Sequence, residues 1–186
     1  MTKWMKSKKG FTIIELLLAL AIAASILAIA FSFFLPQQKA LNDTTKKSEL
    51  QMDTQIIMES MTKSAMEASK ISLITTKAGV LHTSDLDSLY DTQDLEKIVF
   101  SVYNTDNSGT RSLAYEYTYK IVGGKISFTD SSGIEKNLAE NVKAIKVTPL
   151  DEKSFGQCVG IKIEVQLASA GISDYNTQSS VYFRNK

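Results

Sequence analysis

The chain has 186 residues, 44% of them apolar, and a net charge of +1. That is room for one domain plus an anchor, and the balanced total gives no sign of a polyanionic partner. One cysteine, Cys158, and one histidine, His82, exclude an intramolecular disulfide and any zinc cluster of several histidines and cysteines.

The first ten residues carry Lys3, Lys6, Lys8 and Lys9 and no acid. The total of +1 less those four charges leaves −3 for residues 11–186. Residues 11–35, FTIIELLLALAIAASILAIAFSFFL, are apolar except for Thr12, Ser25, Ser32 and Glu15. As a helix this segment is about 37 Å long. It can span a hydrocarbon core of about 30 Å with some tilt. The lysines before it place the N-terminus in the cytoplasm and the following chain outside. A cleaved secretory signal fits poorly, because its apolar run is shorter and PQQKALND offers no small-x-small site. An ordinary anchor leaves Glu15 unexplained, since a charge at mid-bilayer costs about 2.5–3.5 kcal/mol on insertion scales. The remaining reading is a helix in which Glu15 acquires a partner.

Basic residues followed by Gly10-Phe11-Thr12-Ile13-Ile14-Glu15-Leu16-Leu17 resemble the processing site of type IV pilins and pseudopilins. The resemblance implies a pilin fold and a non-enzymatic, structural role without cofactor. It also implies cleavage between Gly10 and Phe11 by a membrane prepilin peptidase and N-methylation of the new Phe11 amine. The leader 1–10 is then removed, 11–35 is the transmembrane and assembly helix, and 36–186 is the extracytoplasmic domain. In a filament, Glu15 of one subunit pairs with the Phe11 amine of a neighbour. An unpartnered acid in low dielectric is costly and a partnered one is tolerated. The implied partners are other pilin-like subunits, the peptidase, and an inner-membrane platform driven by a cytoplasmic ATPase. Family helices often carry a proline near the middle of the apolar segment or at its end. Here Pro36 closes the segment and predicts a bend over 33–37.

From residue 37 to Gly79 no proline or glycine interrupts the chain. Leu50, Ile57, Met61, Ala65 and Ala68 recur at helical spacing, which predicts an amphipathic continuation of the helix over about 37–70. Met52, Met58, Met61 and Met66 read as core packing rather than thioether ligands. Asp43, Lys46, Lys47 and Glu49 read as a solvated face. Strands are expected at 95–103, 112–122, 125–129, 142–147, 160–167 and 178–184. SLAYEYTYKIV at 112–122 alternates strictly, with Tyr115, Tyr117 and Tyr119 on one face. Gly123-Gly124 predicts a two-residue hairpin turn. A long helix followed by strands is α+β, with an antiparallel sheet packed on the helix. NLAENVKAIKVTPLD and VGIKIEVQLAS, with the closing FRN, resemble J-type pseudopilins of type II secretion and PilW-like minor pilins. The lack of a cysteine pair departs from pilins that close a C-terminal loop by a disulfide.

His82 lies among serines, but no G-x-S-x-G elbow is present. No Walker loop or G-x-G-x-x-G occurs. Asn104, Asp106, Ser108 and Gly109 copy half a calcium loop, but Tyr115 stands where its distal glutamate belongs. The tyrosine row, with Arg111 and Lys120 nearby, could stack bases, yet packing on the helix suits it better. Cys158 reads as a small buried hydrophobe. The resemblance implies a minor pilin or pseudopilin of a type IV pilus, competence or type II secretion filament. The alternative is a surface adhesin or DNA-binding module of a pilus.

Overall fold

The structure is a computed structural model that describes residues 10, 12–77, 79–106 and 108–184. It divides into two compact units, Met1–Thr45 and Lys46–Lys186. Helix α1 runs from Ile13 to Glu67 and continues through Pro36.

In the first unit every side chain of α1 from Ile13 through Asn42 is exposed. The most apolar 18-residue window of α1 has a mean hydropathy of 2.7, and none of it is buried. Among the described residues this is the one helix long and apolar enough to cross a membrane.

The second unit is built on the C-terminal part of α1. Its stripe Leu50, Ile57, Met61 and Ala65 is buried as the spacing predicts, and Ala68 is buried just past the helix end. Met58 and Met66 pack against this core, while Met52 is exposed and takes no part in it. The helix stops at Glu67 rather than near residue 70, because KISLITT is β-branched and pairs as a strand.

In chain order the remaining elements are β1 (Lys70–Thr76), β2 (Gly79–His82), α2 (Thr83–Leu86), β3 (Gln93–Asp94), β4 (Lys97–Thr105), β5 (Arg111–Val122), β6 (Lys125–Thr129), β7 (Glu135–Ala139), β8 (Val142–Pro149), β9 (Gly160–Leu167) and β10 (Tyr175–Tyr182). The strands expected at 125–129 and 160–167 have those bounds. The last strand starts three residues before the expected 178 and ends two before 184. β1, β2, β3 and β7 lie outside the sequence expectation.

The pattern of strands predicts one sheet, and among the described residues there are two, ordered β2-β1-β4-β5-β6-β7 and β10-β9-β8-β3. All pairings are antiparallel. Leu95 and Glu96 stitch the sheets: the Leu95 amide donates to the Ile145 carbonyl (2.8 Å) and the Glu96 amide to the Thr75 carbonyl (2.7 Å). One core joins the α1 stripe to Phe100 and Tyr119 of the larger sheet and to Ile145, Ile161 and Ile163 of the smaller. The architecture is a long N-terminal helix packed on antiparallel sheets, an α+β arrangement consistent with the pilin fold.

Gly123 and Gly124 have φ of +59° and +76°, the conformation that a two-residue hairpin turn requires. Cys158 is fully buried, and its thiol donates to the Phe155 carbonyl (3.4 Å).

Candidate processing and assembly site

The apolar segment carries three hydroxyls and one acid, and its own chain satisfies each of them. Ser25 Oγ donates to the Ala21 carbonyl (2.9 Å) and Ser32 Oγ to the Ile29 carbonyl (2.7 Å). In hydrocarbon no water would serve them, so these bonds suit a lipid-facing helix.

Thr12 and Glu15 bond to each other. The Thr12 amide and Thr12 Oγ1 both donate to Glu15 Oε2, at 2.9 Å and 3.0 Å. The Glu15 amide returns a longer bond to Thr12 Oγ1 (3.4 Å). This is a capping box: Thr12 caps the helix, and Glu15 reaches back to a donor that the first turn leaves unpaired. A negative charge in the first turn also faces the positive end of the helix dipole. From the sequence alone Glu15 is an acid awaiting a partner in another subunit. The T-x-x-E spacing of Thr12-Ile13-Ile14-Glu15 is the signal for a local one.

Gly10 is exposed, and a side chain added there would meet nothing within 4 Å. Phe11, the other half of the expected cleavage site, lies outside the described residues.

The remaining sequence candidates fall to structural roles. Tyr119 is buried, and its hydroxyl bonds Ser60 (2.9 Å) and Ser64 (2.7 Å) of α1. Burial pushes its pKa up to about 12. The Tyr117 hydroxyl donates to Glu67 Oε2 (2.6 Å), and burial together with that carboxylate raises its pKa. Two of the three tyrosines therefore hold the sheet on the helix instead of offering their hydroxyls to a ligand.

Asp106 accepts from the Ser108 amide (2.9 Å), Ser108 Oγ (2.6 Å) and the Thr110 amide (2.8 Å). Those bonds, the Ser108 hydroxyl first, lower its pKa. It closes the β4–β5 hairpin as an Asx turn. Among the described residues no group of three His, Cys, Asp or Glu side chains could hold a metal ion.

Residues 5–31 match the family model described as the prokaryotic N-terminal methylation motif. The chain carries a type IV pilin-like N-terminus. The match spans Gly10, Thr12 and Glu15 and runs into α1 as far as Phe31. Comparison with curated proteins and with solved structures gave no match. The motif supports a type IV pilin-like substrate of a prepilin peptidase and implies assembly with other pilins. Together with the apolar helix it supports membrane anchoring.

Proposed function

We propose that this chain is a minor pilin or pseudopilin. Residues 1–10 are the leader, 11–35 the membrane and assembly helix, and 36–186 the extracytoplasmic domain. The N-terminal methylation motif carries this reading. A prepilin peptidase cuts between Gly10 and Phe11, and the new amine is methylated. The chain then enters a type IV pilus, competence or type II secretion filament through a platform driven by a cytoplasmic ATPase.

Assembly exchanges the Thr12 donors at Glu15 for, or shares them with, the Phe11 amine of a neighbour. Apolar side chains slide past one another, whereas a charge pair fixes axial position. With Glu15 in this role the subunit docks beneath another one rather than at the extreme tip. Pro36 supplies a bend over 33–37, where it removes a backbone donor.

The test is the mass and N-terminal sequence of the membrane-extracted protein, with and without co-expressed prepilin peptidase. A peptidase-dependent start at Phe11 is expected. An intact Met1 in the presence of active peptidase would sink the reading.

A further inference from the structure

Among the described residues the two sheets have four edge strands: β2, β7, β3 and β10. Three of them are poor templates for pairing. β3 has two residues and β2 has four. β7 has five, includes Glu135 and Lys136, and its register with β6 is broken between Ile126 and Ser127. Short length, charge and irregular pairing are the usual protections of a sheet edge.

β10 has none of them. It runs for eight residues, YNTQSSVY, without charge or proline, and pairs with β9 in unbroken register. Among the described residues, no backbone hydrogen bond from outside the sheet reaches 175–182. A crevice of about 230 Å³ lies between the start of the strand, at Tyr175 and Thr177, and α1 at Gln51, Gln55 and Met58. Asn176 and Gln178 border a separate groove of about 560 Å³ with Ala144, Lys146 and Glu164.

We propose that the β10 edge is a docking site for an extended strand of a different polypeptide, which continues the smaller sheet by backbone pairing. An open row of amides and carbonyls is complementary to another strand. A second copy of this chain fits badly. Its other edges are at most five residues long. Self-pairing of β10 about a two-fold axis would reverse the copy. β10 runs in the same direction as residues 51–66 of α1, since Tyr175 lies by Gln51 and the Arg184 amide donates to the Met66 carbonyl (3.0 Å). The reversed copy would turn that helix end for end, which a filament of co-directional subunits forbids; this clause rests on the proposed function.

The test uses the full chain in its own membrane. A benzophenone amino acid replaces Gln178 or Ser180, both exposed, and Lys136 of β7 as a control. Adducts at Gln178 and Ser180 to one extended segment of another protein are expected, in excess of those at the control. Adducts no stronger than the control, adducts to β10 of a second copy, or adducts to a helix would overturn the proposal. The N-terminal mass of the same sample separates the two readings. A start at Phe11 without adducts overturns the edge proposal alone, and an intact Met1 with adducts overturns the pilin reading alone.

Discussion

One helix meets two solvents in this molecule. From Ile13 to Leu35 its side chains are exposed and apolar on nearly every side, and its few polar groups are bonded within the same chain. From Leu50 to Ala65 a single stripe is buried and the other faces are mostly polar. The first part is held together by backbone bonds and awaits lipid or other helices. The second gains its stability from burial against the sheets. Substitutions should therefore have separable effects in the two parts.

The largest contrast lies in the apolar residues. Ile57→Ala should cost about 2–5 kcal/mol, because it opens a cavity in a closed core. Ile22→Ala should change stability by less than about 0.5 kcal/mol. Thermal melts of the full chain in detergent would check both, and equal losses would erase the distinction between the two parts. Glu15→Leu probes the other side. Membrane insertion should be unchanged, while incorporation into a filament at native expression falls. Normal incorporation would remove Glu15 from assembly.

Tyr119→Phe leaves Ser60 and Ser64 without their shared partner and should cost about 1–3 kcal/mol in a denaturant titration. Gly123→Ala forces a side chain into φ of +59° and should cost about 1–2 kcal/mol by the same measurement.

A small gain is expected at Asp53. Burial, then Glu49 and Glu140, raise its pKa. A raised carboxylate pKa means that the ionised form is disfavoured in the fold. Asp53→Asn should then stabilise the chain at pH 7 by less than about 1 kcal/mol, since solvent screens the site. The gain should shrink as pH falls through the raised pKa and Asp53 becomes protonated. A gain that grows toward acid pH would contradict this sign.

Much of the candidate site is legible in local sequence. The motif around Gly10 and Glu15 stands in one stretch, and the capping box is readable there as well. A further local signal marks a strand that alternation misses. Thr105-Asp106-x-Ser108-Gly109 and Thr129-Asp130-x-Ser132-Gly133 share a pattern. Both close hairpins in the same way, with Asp130 accepting from the Ser132 amide (2.9 Å) and the Ile134 amide (3.1 Å) as Asp106 does from Ser108 and Thr110. Gly109 and Gly133 take φ of +82° and +76°. That repeat announces β7, whose EKNLA has no alternation to betray it.

The apolar helix, the buried stripe after it, the alternating strand with its tyrosines and the Gly123-Gly124 turn are all written in the amino-acid order. Each depends on periodicity or on backbone freedom within a few residues. The division of the strands into two sheets, the bonds from Tyr117 and Tyr119 to the helix, and the open edge at β10 emerge only when the chain is folded. Strand partners are chosen by long-range packing, and a strand's own pattern of side chains does not name its neighbour.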